Sequence, residues 1–525
     1  MKPCYTTVKF NGSIFNGSTA ADSGPATGKV VKQSDDTLDL LIIGGGINGA
    51  GIAADAAGRG LRVCLCEKGD LASGTSSWST KLIHGGLRYL ENYDFLLVRK
   101  ALREREVLAH AAPHIIKPMA FQIPQLPNSR NGLLIQAGLF LYDNLARRER
   151  FKGSRRVRYG EDSPLNPSVK RGFEYWDAQV DDSRLVVLNA MLAREKAAEI
   201  LTRHECRRIE PDGDGWKVSL HDHRRDRDIT RRCKVIINAA GPWVASLLED
   251  LTHAPAPHKI RLVKGSHIVV PRIYDGPEAY MLQHNDGRVI FVIPYLKKYS
   301  LIGTTEEDYE GDPGEARISN DEINYLVSIA NLYFKKSVLR SEIVYTYSGV
   351  RPLIDEEGKA ATKVSRDYRL ELVEDPLPIL SVYGGKVTTY RLLAEQVMVE
   401  LGQFFPRMRG SWTKKAILPG GDFELSEDLF RELASKYAWL GPDLINRWLN
   451  CYGTRSFEIL NKARSLGDMG VNFGHGLYQR EVDYLCRHEW ANTADDILWR
   501  RTKLGYLLDT KQKRSLANYI EQTYS

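Results

Sequence analysis

Apolar residues crowd Leu38-Asp39-Leu40-Leu41-Ile42-Ile43 and stop at Gly44-Gly45-Gly46-Ile47-Asn48-Gly49-Ala50-Gly51. A short apolar run bounded by glycine predicts a strand. The Ala-rich stretch Ile52–Ala57 predicts a helix stopped by Gly58 and Gly60, and Leu61–Cys66 a second strand closing on Glu67. Together they make one βαβ unit of about 30 residues. Helical spacing over Phe95–Ala111 ends before Pro113, and Asp181-Asp182-Ser183 reads as the cap of a helix to about Glu199, followed by the strand Ile200-Leu201-Thr202. Trp216–Leu220 and Cys233–Ile237 predict strands around a charged hairpin tip, the second running into Asn238-Ala239-Ala240-Gly241-Pro242. From about 259 to 348, alternating strands such as His267–Val270 and Val289–Ile293 predict an antiparallel sheet, interrupted by a helix near Asp321–Phe334. The strand Ile379–Tyr383 enters Gly384-Gly385-Lys386 and a helix over Tyr390–Leu401. After Pro419-Gly420-Gly421 the pattern is helical at Leu429–Leu433, Leu444–Leu449 and Tyr484–Trp490, which predicts a separate all-α domain. Residues 1–37, rich in Gly, Ser, Thr, Ala and Asn without periodicity, read as a flexible leader.

Composition narrows the class. With 525 residues, 43% hydrophobic and 26% charged, the chain is globular and large enough for several domains. Seven scattered cysteines with no CxxC pair argue against a disulfide or zinc framework, and no metal site is expected. The net charge of +7 permits contact with phosphate or anionic lipid but is thin for nucleic acid. The longest apolar run, near Gly132–Leu145, contains Gln136, Asp143 and Asn144 and falls short of the ~18 residues that span a bilayer.

The chemistry starts at Gly44-x-Gly46-x-x-Gly49. Glycines let the backbone approach a pyrophosphate, and the helix that follows offers unpaired N–H groups and a positive dipole end. Gly45 and Asn48 lie in the same turn, and Glu67, 18 positions after Gly49 (67 − 49), can accept from ribose hydroxyls while repelling a 2′-phosphate. The ligand is therefore FAD or NAD rather than NADP. The segment from Thr75, Ser76 and Ser77 through Lys81, Leu82 and His84 to Gly85-Gly86 sets hydroxyls, a lysine and a glycine pair close behind the first motif, which suits FAD better.

Several further motifs share an order with this one: Lys81-Leu82-Ile83-His84-Gly85-Gly86-Leu87-Arg88-Tyr89, Asn238 to Trp243, Lys264-Gly265-Ser266-His267, Tyr347 to Pro352, and Gly384-Gly385-Lys386-Val387-Thr388-Thr389-Tyr390-Arg391. From about residue 38 to the C-terminus the chain resembles the FAD-dependent glycerol-3-phosphate dehydrogenases, bacterial type. His488-Glu489-Trp490 and Asp495 to Thr502 fit that type, and the Asp-rich EF-hand loop of the mitochondrial relatives is missing. The resemblance implies oxidation of sn-glycerol 3-phosphate to dihydroxyacetone phosphate with FAD as cofactor and membrane quinone as acceptor. It further implies a homodimer lying peripherally on the cytoplasmic face of the inner membrane. By matching motif, Arg88 and Arg351 hold the phosphate, Lys386 lies near flavin and substrate, Tyr89 and Thr304 are further contacts, and Gly241, Gly385 and Thr388 join the cofactor set. Arginine suits this task because its planar fork donates bidentately.

Two histidines are candidate bases for the hydroxyl proton: His267 first, then His84, which could instead position the flavin. Two basic clusters are candidate membrane contacts. Arg147–Arg158 holds seven Arg/Lys and one Glu behind the apolar run Leu133–Leu145; Phe404-Phe405-Pro406-Arg407-Met408-Arg409 continues through Trp412, Lys414 and Lys415. The second gains weight from the resemblance.

The expected fold is α/β. A doubly wound, Rossmann-like FAD-binding domain (38–110, 180–258 and 350–420) encloses a substrate domain on a mostly antiparallel sheet (111–179 and 259–349), and a helical domain spans 421–525. An oxidase using oxygen and a flavin-binding protein without turnover are the alternatives. Peroxide formation without quinone would mark the first, and failure of substrate to bleach the flavin the second.

Overall fold

Two sheets carry the molecule. The computed structural model describes residues 37–127, 132–253, 256–284, 287–355 and 367–524, so the leader lies outside the described residues. In the first sheet β1 (Leu38–Ile43) runs parallel to β2 (Val63–Glu67) on one side and to Arg227–Asn238 on the other. Glu199–Thr202 extends it beyond β2, and Ile379–Tyr383 beyond Arg227–Asn238, both parallel. The antiparallel strand Arg369–Val373 ends one edge, and the hairpin His204–Asp212 with Gly215–Asp222 continues the first half of Arg227–Asn238. Leu40, Leu41 and Ile42 do not alternate because both faces of a parallel sheet are covered.

One cover is α1 (Ile47–Gly58), buried along almost its whole length. Its alanines bring it close to the helices Asp182–Glu195 and Tyr390–Glu400. A Cβ on Gly51 would lie 2.5 Å from the Tyr390 ring, and one on Gly58 2.0 Å from Trp412. The helix begun at Asp181, whose carboxylate accepts from the Arg184 N–H, ends at Glu195 rather than about Glu199. Ala197 turns the chain with a φ of +73°, which frees Glu199–Thr202 to pair with β2.

The second sheet is antiparallel apart from the pairing of Ala279–Gln283 with Ile116–Gln125. At its centre the long strand Ile260–Pro271 pairs with Tyr345–Ile354 and Tyr299–Gly303. The helix Asn320–Tyr333 covers one face, started by a capping box between Ser319 and Glu322. Leu82–Ile83 departs from the expected boundary. It pairs with Ala178 and Gln179 at the edge of this second sheet, so the segment that leaves the first sheet at Glu67 ends on the other.

Helices Ser426–Lys436, Pro442–Tyr452, Gln479–His488 and Thr510–Tyr524 form the C-terminal domain around its own core, with Trp448, Tyr452, Leu485 and Leu516 buried. A π-helical turn, Asp496–Arg501, fastens it to the first sheet: Arg501 donates to both oxygens of Asp70 at 2.6 and 2.8 Å, and Arg500 donates to the same carboxylate. No helix among the described residues is long and apolar enough to cross a membrane.

Candidate active site

The end of β1 opens the site. Gly44 has a φ of +114°, and a Cβ there would meet the Ala239 carbonyl oxygen at 2.5 Å; one on Gly49 would lie 1.9 Å from the Gly44 carbonyl oxygen. Only glycine lets β1, α1 and the turn after Asn238 approach this closely. The Glu67 carboxylate accepts from Gly45 N and Gly69 N, each at 2.7 Å. Burial raises its pKa, and those two N–H groups work in the opposite direction. Its oxygens keep lone pairs for further donors. Asn48 donates to the Gly384 carbonyl at 3.1 Å, which brings the turn Gly384-Gly385 (φ +75° and +102°) onto the start of α1.

This cleft fits a long polar cofactor. Asn48 Oδ1 and Ser77 Oγ are buried with no hydrogen-bond partner among the described residues. Gly241 has a φ of +59°, and the volume where its Cβ would stand is open. Buried polar atoms are normally satisfied, so orphans of this kind beside open volume mark the place of a ligand or water. Ser76 Oγ accepts the first N–H of α1, from Ile47, at 3.0 Å, and Thr75 donates to the Val350 carbonyl at 2.6 Å. Thr388 Oγ1 accepts from His84 N at 3.3 Å, tying the two cofactor segments together. Gly85 N donates to Tyr142 Oη at 2.9 Å, and Leu82 is buried in the short strand before it.

Lys81, expected in the cofactor set, donates through its ammonium to Ser77 O at 2.9 Å and to both oxygens of Asp182 at 2.9 and 3.0 Å. Asp182 also accepts from Ser79 Oγ, so this carboxylate, which sequence reasoning missed, anchors the whole Ser77–Lys81 stretch.

The arginines converge. Arg88 Nη1 lies 3.4 Å from Glu306 Oε2, and Arg351 Nη1 3.6 Å from Glu306 Oε1. Both guanidinium side chains are about 30% exposed (29% and 30%), and Arg351 Nη1 has no hydrogen-bond partner among the described residues. Burial pulls the pKa of Arg351 down, and repulsion by Arg88 adds to it against an opposing pull from Tyr89. Lys386 Nζ stands 3.9 Å over the Tyr89 ring. Gly265 gives the space in which these groups meet: a Cβ there would lie 2.6 Å from Thr304 Oγ1 and 3.4 Å from Arg351 Nη2.

The two histidines differ in access. His267 is 1% exposed, stacked on Tyr347 at 4.7 Å, with Nε2 against Thr80 Oγ1 at 3.1 Å. Its Nδ1 is buried without a partner among the described residues. Burial first, then Arg351 and Lys81, hold its pKa well below the usual histidine value. His84 is half-buried at the end of Leu82–Ile83.

The basic clusters also separate. Phe405 of the second is buried, and Trp412 packs on Gly58 and donates to the Asp55 carbonyl at 3.1 Å. The helix Gly132–Asn144 before the first cluster instead holds Leu133, Leu134, Phe140 and Leu141 out to solvent, as Tyr93 and Leu96 are held.

The chain is similar to known proteins along most of its length. The profile of FAD dependent oxidoreductases matches residues 39–372, and that of the C-terminal domain of alpha-glycerophosphate oxidase matches residues 411–523. A glycerol-3-phosphate dehydrogenase of Pseudomonas aeruginosa is 49% identical over 494 residues, 93% of this chain and 96% of that one. A D-erythritol 1-phosphate dehydrogenase of Brucella abortus is 46% identical over 486 residues, 91% and 97% of the two chains. Among solved structures, glycerol-3-phosphate dehydrogenase from Bacillus halodurans complexed with FAD superposes with a TM-score of 0.72 at 26% identity, covering 94% of this chain and 95% of that one.

Proposed function

Because the chain belongs to the FAD-dependent oxidoreductases and, among them, to the bacterial glycerol-3-phosphate dehydrogenases, we propose that it oxidises sn-glycerol 3-phosphate to dihydroxyacetone phosphate and passes the electrons to membrane quinone. The observation that carries the substrate reading is the pair Arg88 and Arg351, two guanidinium groups beside the cofactor turns that share one carboxylate, with Arg351 Nη1 lacking a hydrogen-bond partner among the described residues. Two forks of this kind suit a phosphate dianion.

The Gly44–Gly49 turn, Glu67, Asn48, Gly385 and Thr388 would hold FAD, which when bound would supply a two-electron acceptor for the oxidation of the carbinol carbon. The protein's own side chains do the rest. Arg88 and Arg351 grip the phosphate and fix which carbon faces the ring, and Lys386 adds a point charge. Thr304 and Tyr89 border the same space. His84 takes the hydroxyl proton at an imidazole nitrogen. Its half-buried position supports this choice over His267, whose ring is sealed beneath Tyr347 and Thr80. A base must reach the proton it removes.

The exposed apolar face of Gly132–Asn144 beside the basic stretch Arg147–Arg158 supports peripheral attachment to the cytoplasmic side of the inner membrane, apolar side chains in the interface and arginines at anionic headgroups. A second substrate, D-erythritol 1-phosphate, is favoured by the Brucella relative, and its phosphate would meet the same arginines. Steady-state turnover of both esters with a soluble quinone tests the reading. The higher kcat/KM is expected for glycerol 3-phosphate, and turnover of erythritol 1-phosphate alone reassigns the substrate.

A further inference from the structure

One carboxylate stands where the phosphate-binding cations meet. Glu306 has a side chain only 7% exposed, and it directs one oxygen to Arg88 and the other to Arg351. The chain just before it is locked. Thr305 donates to Glu322 Oε1 at 2.6 Å and accepts from Ser266 N at 2.9 Å, and Glu322 is itself paired with Lys264 at 2.9 Å. The chain just after it is held as the strand Glu307–Asp308, paired with Val263 and Lys264. Glu306 is therefore presented from a fixed backbone.

Two guanidinium groups so close repel each other, and that repulsion helps to lower the pKa of Arg351. A shared counter-charge is what lets them stay together. The N···O distances of 3.4 and 3.6 Å are longer than the 2.7–2.9 Å of a strong charge-assisted hydrogen bond, so the contact offsets repulsion through one long hydrogen bond from Arg88 and none from Arg351 Nη1. With Lys386, the three cations and one carboxylate sum to two positive charges.

We propose that Glu306 is a positioning residue of the phosphate site: it spaces Arg88 and Arg351 and sets their field to match a dianionic phosphate monoester. The proposal rests on the substrate reading above and deepens it. Glu306 acts in this proposal through Arg88 and Arg351, so its effect falls on binding.

The test uses the FAD-loaded enzyme with Glu306→Gln and Glu306→Asp. Glu306→Gln, which keeps the shape and removes the charge, is expected to raise the KM for sn-glycerol 3-phosphate by about 10- to 100-fold while kcat stays within about twofold. Inorganic phosphate, as a competitive inhibitor, weakens in parallel, FAD content is retained, and Glu306→Asp restores part of the loss. A merely structural role would lower FAD content or melting temperature without splitting KM from kcat. An unchanged KM overturns the proposal, and a lower KM overturns it too, since it would make Glu306 a competitor for the arginines. If the parent enzyme fails to oxidise the ester, the substrate reading fails. Binding of inorganic phosphate by calorimetry to the parent and to Glu306→Gln then still decides the role of Glu306: weaker binding in the variant supports it, equal or tighter binding overturns it.

Discussion

Arginines meet carboxylates in two regions of this molecule, on different terms. Behind the cofactor turn, Arg501 is fully buried and spends two donors on Asp70 and another on the Glu489 carbonyl, at 2.6 to 2.8 Å. Arg184 beside it donates to both oxygens of Glu489 and to the Cys451 carbonyl. Burial works against both charges, yet Glu489 for Arg184 and Asp70 for Arg501 raise their pKa values. At the candidate phosphate site, Arg88 and Arg351 share one carboxylate at 3.4 and 3.6 Å, and the pKa of Arg351 falls. Residues of one type thus divide into those that donate to carboxylates and carbonyls at close range and those that share one carboxylate at longer range. The first kind is architecture and joins the C-terminal domain to the loop after Glu67. The second kind borders the proposed phosphate site. The histidines divide by burial instead, His267 fully buried and His84 half-buried.

Each side of that division can be broken. The largest effect is expected from His84→Asn, which should slow flavin reduction by about 10²- to 10⁴-fold with FAD still bound, the loss typical of a missing general base. Stopped-flow reduction checks it, and a rate that falls only in His267→Asn would reverse the division. Arg501→Met leaves Asp70 buried with less compensation and should cost roughly 3–5 kcal/mol of stability, read from denaturant unfolding. Arg351→Met should do the opposite, costing about 1 kcal/mol or less in unfolding while lowering kcat/KM by about 100-fold. A smaller effect is expected from pH. His267 has a lowered pKa, so its ring takes up a proton only well below 6.5 and is neutral above that. An acid limb of kcat/KM in the ordinary histidine range therefore belongs to another group and should persist in His267→Asn. The smallest effect on chemistry is expected from Leu134→Glu with Phe140→Glu: sedimentation with anionic vesicles is lost while flavin reduction in solution is unchanged.

The legible part of the sequence is the part carried by local constraints. The glycine turns at Gly44–Gly49 and Gly384-Gly385 announce themselves because close backbone approach excludes every other residue, and the strand and helix around each follow from short-range patterning. What was not legible depends on partners distant in the chain. Lys81 in a hydroxyl-rich loop reads the same whether it faces a cofactor or, as here, Asp182 about a hundred residues later. Glu306 looks like any acid in Thr304-Thr305-Glu306-Glu307, and only the fold brings it between two arginines. Phe405 and Trp412 look like membrane anchors until α1 and its neighbours claim them as core. Sequence reasoning ranked His267 first because His84 could instead position the flavin, and burial is a property of neighbours that no local pattern reports.

The most direct test is an anaerobic titration of the FAD-loaded protein with sn-glycerol 3-phosphate, followed at the flavin absorbance band and chased with a soluble quinone. The band should bleach with one equivalent of ester and return when quinone is added. A band that stays unbleached while FAD remains bound contradicts hydride transfer from this substrate.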